Sequence, residues 1–194
     1  DVSELLIADA RVRLRFAGAG LRDALMPAMR HLEVTYEPTA RAALEVRLWT
    51  TVDTGVPMID APWKLSVLEP GAVVPEAAAM GLFAIVRPDC GLFMCYDAEA
   101  AVAYVWIEDA TRLDRHDRAA PLRPIFTPFF EGRGLWVTHA GAVGLGDVGV
   151  LLGGRGGSGK STTSLLCLEA GFAYASDDYV LVDVGGDGRA PYAH

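Results

Sequence analysis

Lysine is nearly missing from this chain: of its 17 basic residues only Lys64 and Lys160 are lysines. Basic charge as a whole is in deficit, giving a net charge of −8, which argues against a nucleic-acid surface because binding a phosphate backbone needs a basic field. Cysteine is scarce too. Cys90, Cys95 and Cys167 form an odd, unspaced set that excludes a disulfide framework, and no second Cys/His pair accompanies Cys90 and Cys95 to make a zinc site. Reduced thiols and a cytoplasmic location are the expectation. No charge-free apolar run is long enough to span a membrane, and Asp1, Glu4, Asp9, Arg11, Arg13 and Arg15 interrupt anything resembling a signal peptide. Repeats and low-complexity tracts are lacking as well. What remains, 194 residues of which 52% are hydrophobic and 22% charged, can bury a core of one large domain or two small ones.

One of the two lysines sits in Gly154-Arg155-Gly156-Gly157-Ser158-Gly159-Lys160-Ser161, a match to G-x-x-x-x-G-K-[ST], the phosphate-cradling P-loop. Its four fixed positions coincide by chance in well under about 1% of chains of this length. Val148 to Leu152 reads as a short buried strand entering the loop. Ser161 to Ala170 reads as a helix leaving it, with Leu165, Leu166 and Leu168 apolar and Gly171 as the stop. The residue types suit the chemistry. Glycines let successive backbone N–H groups turn inward on a β-phosphate, and the helix N-terminus, reaching to Thr162, adds its dipole. Lys160 then reaches the β- and γ-phosphates, and the Ser161 hydroxyl ligates Mg²⁺. The motif predicts binding of ATP or another nucleoside triphosphate.

Elsewhere the patterning is strand-rich. Residues 10 to 16 alternate strictly, predicting a half-buried strand whose other side is a solvated arginine face. Leu21, Leu25, Met26, Met29 and Leu32 have helical spacing, with Pro27 near enough to the start to be tolerated. Residues 43 to 49, 63 to 68, 91 to 96 and 102 to 107 are strand candidates separated by Gly, Pro and Asp. Trp49, Trp63 and Trp106 read as core or hairpin aromatics. A charged cluster from Arg112 to Arg118 marks the expected boundary, giving a strand-rich α+β module over 1–115 and a second domain over 116–194. In the second, Leu122 to Phe130 reads as a helix that Pro124 and Pro128 should bend or fragment, and Leu135 to Val143 as a strand. The chain starts without Met and stops soon after Gly185-Gly186-Asp187-Gly188, so it reads as part of something longer, its kinase core truncated at the C-terminal end.

Three features follow one another in the second domain: Thr138-His139-Ala140, the P-loop, and Ala175-Ser176-Asp177-Asp178. This order resembles the C-terminal kinase core of the HPr kinase/phosphorylase family, itself similar to phosphoenolpyruvate carboxykinase. The resemblance covers roughly residues 120 to 184. It implies an α/β fold, a PEPCK-like P-loop kinase core preceded by the strand-rich α+β module, acting as an ATP-dependent serine kinase with Mg²⁺. By resemblance, Lys160 and the backbone from Gly156 to Gly159 hold phosphates, Ser161 and Asp178 hold the metal, Asp177 accepts the proton of the attacking hydroxyl, and His139 lies beside that carboxylate. The acceptor is expected to be Ser of a peptide or small protein, held by the N-terminal module. A homo-oligomer is implied by the family. Residues before 110 do not resemble the family's N-terminal domain, so HPr itself is not the expected substrate. Three readings stay open beside this one: a kinase of a free small hydroxyl compound, a non-catalytic ATP-dependent regulatory module, and an ordinary P-loop NTPase. In the last, Tyr179 to Asp183 is the metal-binding strand and Asp183 the ligand.

Overall fold

The alternating stretch 10 to 16 becomes the second strand of a hairpin. In the computed structural model, which describes residues 1–60, 72–185 and 192–193, β1 (Val2–Ile7) pairs antiparallel with β2 (Ala10–Ala17). Ala8 and Asp9, both at positive φ, form the two-residue turn that matches the strand twist. The strand expected over 63–68 and most of the glycine turn 185–188 lie outside the described residues.

The chain divides into two units, residues 1–125 and 126–194; the sequence reading divides it between 115 and 116. In the first unit, α1 (Gly20–Met29) buries Leu21, Leu25, Met26 and Met29, and its spacing ends in a 3-10 turn at Arg30–Leu32. After β3 (Glu33–Val34) come β4 (Leu44–Thr50), the one-turn α2 (Thr51–Thr54), β5 (Ala72–Val73), α3 (Pro75–Ala79), β6 (Leu82–Arg87), β7 (Leu92–Asp97) and β8 (Val102–Ile107). The eight strands make one mixed sheet in the order β3-β1-β2-β4-β8-β7-β6-β5. Among the described pairings of this sheet only β2–β4 and β4–β8 are parallel, and a parallel pair needs a crossover connection, which α1 supplies between β2 and β4. Val12, Leu14, Phe16, Leu44, Val46, Leu48, Ala103, Val105 and Ile107 alternate onto one buried face.

The expected arginine face is solvated only in part. Glu4 of β1 is fully buried, with Arg13 Nη2 2.5 Å and Arg11 Nη1 2.8 Å from its carboxylate, and Arg13 Nη2 also donates to the Glu37 and Ala40 carbonyls. Burial pushes the Glu4 carboxyl up, but these guanidiniums and the Glu37 N–H outweigh it and hold the group below its ordinary value. Arg15 alone of the three is open to solvent. Trp49 and Trp106 are half-buried, donating from Nε1 to the Pro57 carbonyl and the Thr51 hydroxyl. Cys90 and Cys95 are free and buried, which raises both thiols, and Cys167 is free and half-buried. The charged run folds onto the first unit: α4 (Arg115–Ala119) is capped by the Asp114 carboxylate, and Arg87 reaches Asp117 at 2.7 Å and Asp89 at 3.1 Å.

The helix α5 (Arg123–Glu131) stays whole. Pro124 falls in its first turn, where the N–H groups have no intrahelical partner, so only Pro128 costs a helical hydrogen bond. Beyond it, the strand expected over 135–143 splits. β9 (Leu135–Thr138) joins a three-stranded sheet β14-β13-β9, whereas β10 (Gly141–Leu145) joins another, β11-β10-β12. β11 is Val148–Leu152, α6 Lys160–Glu169, β12 Ala173–Ser176, β13 Val180–Asp183 and β14 Tyr192–Ala193. All described pairings in these sheets are antiparallel. Register persists across the split: Thr138 pairs with Val180, and four residues on, Ala142 pairs with Ser176, four residues back along the partner.

Two burial expectations fail in this unit. β11 is an edge strand, and Val148, Val150 and Leu151 are exposed, not buried. On α6 the buried residues are Lys160 and Ser164, while Leu165, Leu166 and Leu168 face solvent. A three-stranded sheet covers only a narrow stripe of a helix, and the stripe it covers holds the polar side chains.

Candidate functional site

β11 ends at Leu152 and the chain enters the glycine loop. Gly157 (φ 78°) and Gly159 (φ 90°) take left-handed conformations that a side chain would strain. Ser158 N–H closes a turn on the Arg155 carbonyl at 3.1 Å. Gly159 is the residue before the first turn of α6, and Thr163 N–H reaches back to its carbonyl at 2.8 Å. The N–H groups of Lys160, Ser161 and Thr162 precede any intrahelical acceptor and, with the helix dipole, make this end attractive to an anion. Lys160 is buried, its Nζ 3.0 Å from the Gly154 carbonyl and 3.5 Å from that of Arg155. The ammonium is thus folded back along the loop it is expected to serve. Gly154, Arg155, Gly156, Gly157 and Ser158 are exposed, as are Ser161 and Thr162.

The acidic pair lies between β12 and β13 and its members point to different partners. Asp177 Oδ1 accepts from Tyr174 Oη at 2.7 Å. The Tyr174 hydroxyl and then the Ser161 hydroxyl hold the Asp177 carboxyl below its ordinary value. Burial, together with that carboxylate, pushes the Tyr174 phenol up to about 12. Asp178 Oδ1 is 3.1 Å from His139 Nε2, the side chains being 53% and 48% exposed. The His139 ring stacks on Tyr179 with centroids 5.1 Å apart. Ser176 Oγ fixes the turn, donating to the Tyr179 carbonyl at 2.7 Å and accepting from Asp178 N–H at 3.3 Å.

Loop, helix start, Asp177, Asp178 and His139 are therefore gathered in one unit, with Asp177 beside Ser161 and His139 beside Asp178. Asp183, the rival ligand, ends β13 in the sheet that lacks β11, and its Oδ1 accepts from Gly185 N–H at 2.8 Å. Sequence reasoning missed Tyr174; its position three residues before Asp177 was the available signal. It also missed the spacing device beneath the helix, where Gly141 on β10 faces Ser164, so that a Cβ at 141 would stand 2.5 Å from Ser164 Oγ.

The donor set fits a magnesium ion held jointly with phosphate. Among the described residues no three His, Cys, Asp or Glu side chains cluster as a metal cage. A hydroxyl and one carboxylate match the one or two protein oxygens Mg²⁺ takes when phosphates and water complete its octahedron. No helix among the described residues is long and apolar enough to cross a membrane. No protein-family model, curated protein or solved structure matches the chain.

Proposed function

We propose that this protein is an ATP-dependent, Mg²⁺-requiring kinase of the HPr-kinase-like type, with a PEPCK-like core, passing the γ-phosphoryl group to a serine hydroxyl of a peptide or small protein. The observation that carries this reading is the pairing of two carboxylates with separate partners next to a P-loop: Asp177 with Ser161, and Asp178 with His139 at 3.1 Å. Phosphoryl transfer asks the protein for charge neutralisation and an aligned nucleophile, with little covalent chemistry. Lys160 swings from the Gly154 and Arg155 carbonyls to the nucleotide's phosphate oxygens, and the N–H groups at the start of α6 receive the rest of that charge. Ser161 and Asp177 would hold the metal, the depressed carboxyl of Asp177 keeping it anionic. When bound, Mg²⁺ supplies neutralisation of the phosphate charge. Asp178 takes the proton of the attacking hydroxyl, and His139 holds that carboxylate in place. These two aspartate roles are the reverse of those assigned from the family order, because Ser161 helps hold the Asp177 carboxyl below its ordinary value while Asp178 faces His139.

The test uses ATP labelled at the γ-position, Mg²⁺ and serine-containing peptides, with wild type, Lys160→Ala, Asp177→Asn, Asp178→Asn and Asp183→Asn. Transfer lost with Lys160 or Asp178, restored partly by excess Mg²⁺ in Asp177→Asn and kept in Asp183→Asn supports the reading. ATP binding without transfer to any hydroxyl, and indifference to both Asp177 and Asp178, overturns it in favour of a nucleotide-sensing module.

A further inference from the structure

A second feature lies in the first unit, which carries none of the glycine-loop or aspartate residues. On the sheet face opposite the buried one, Arg15 of β2 and Arg47 of β4 are register neighbours across a parallel pair. Both are tied by Nε to the two oxygens of a single carboxylate, Glu45, at 2.8 and 2.9 Å. Their side chains are nonetheless 43% and 52% exposed. Burial pushes the Glu45 carboxyl up, but Arg15 and Arg47 outweigh it and keep it anionic at neutral pH. Arg47 extends over the Tyr104 ring, 5.7 Å from its centroid, and Arg15 neighbours Tyr36. Beside the arginines runs an open groove of about 320 Å³ with an almost wholly apolar lining that includes Ala17, Trp49, Thr54 and Val56.

We infer that this groove docks an extended acidic peptide segment, a carboxylate of which takes the Arg15–Arg47 pair while its apolar neighbours lie on Trp49 and Val56. Among the described residues the two guanidiniums share one carboxylate, leaving one positive charge unbalanced there on a chain of net charge −8. Glu45 engages both side chains at Nε, so their orientation is already fixed and their terminal nitrogens need lose little freedom on meeting a carboxylate. A nucleic acid fits poorly, since one unbalanced charge cannot track a phosphate backbone. A free small anion leaves the apolar trough unused. A strand-like peptide alternating acidic and apolar residues satisfies both halves of the groove.

The probe is a fluorescein-labelled synthetic peptide alternating Glu with Val, titrated into the full chain without nucleotide and followed by anisotropy. The expected result is salt-sensitive binding that weakens on the order of tenfold in Arg15→Gln and again in Arg47→Gln, one charge-assisted hydrogen-bonded contact being lost each time. The Gln version of the peptide should bind poorly, and Lys160→Ala should bind the acidic peptide as wild type does. Because nucleotide is absent, failure of the kinase reading leaves this result untouched. Equal binding of acidic and Gln peptides, equal binding by the double arginine variant, or a preference for single-stranded RNA over the peptide overturns the proposal.

Discussion

Adding one methyl group at Gly141 should cost stability in a way that a second substitution repairs. The Gly141 backbone has an ordinary φ, so alanine is unstrained there, but its Cβ would stand 2.5 Å from Ser164 Oγ and 3.4 Å from Leu152 Cβ. The first contact is far inside van der Waals separation, so either the Ser164 hydroxyl turns to another buried rotamer or β10 and α6 part. Such overpacking costs about 1–3 kcal/mol. Ser164 Oγ, for its part, is buried and has no hydrogen-bond partner. Leaving a hydroxyl so costs about 1–3 kcal/mol, and alanine is also the better helix former by about 0.5 kcal/mol. Ser164→Ala should therefore stabilise the protein. With Oγ gone, the nearest atom to the Cβ added by Gly141→Ala is Leu152 Cβ, an ordinary tight contact, and the cost of that substitution should fall below about 1 kcal/mol. The cycle is read by urea unfolding followed by circular dichroism, with thermal midpoints moving about 2–4 °C per kcal/mol for a chain of this size. Should Gly141→Ala cost as much in the Ser164→Ala background as in the wild type, or Ser164→Ala prove destabilising, the packing argument is wrong.

Two further predictions concern titrating groups. Glu4 has a folded pKa below its ordinary 4.5, so its contribution is fully present above that value and is lost as pH falls through the lower folded one. Glu4→Gln strands a buried guanidinium and should cost about 3–5 kcal/mol at pH 7, with the gap to wild type closing in acid, as measured by unfolding from pH 7 to pH 2. Tyr174→Phe removes the largest influence holding down the Asp177 carboxyl, so that group should protonate at higher pH. Affinity for Mg²⁺-nucleotide should then weaken only as pH falls toward the ordinary aspartate value of 3.8 and hardly change from about pH 6 to pH 8, an outcome calorimetry from about pH 4 to pH 8 would check.

The first unit was largely legible because its signals are local. Alternation over 10–16 and 43–49 marked β2 and β4, and the Leu21-Leu25-Met29 spacing marked α1. β1 was missed because Ser3 and Glu4 read as surface, and nothing in Val2 to Ile7 announces that Glu4 is neutralised by arginines on the neighbouring strand. β11 was read as buried from composition, yet burial depends on what covers a strand, which its five residues do not encode. In the candidate site, the glycine loop and the helix that leaves it were legible from spacing alone. Which partner each of Asp177 and Asp178 meets was not, since adjacent residues differ only in where the turn after β12 aims them, a turn that Ser176 Oγ braces.

The split between β9 and β10 has a consequence for how this protein tolerates change. Residues 135–142 and 176–183 keep one register across a window at 139–141 and 177–179 in which the two segments do not pair, and the register shifts just beyond it, between Ala142 and Val143. His139, Asp177 and Asp178 all lie in that window, so none of them is a rung of either sheet. Replacing any of the three removes no described cross-strand pair, so substitutions there should disturb the frame less than substitutions in the strands on either side.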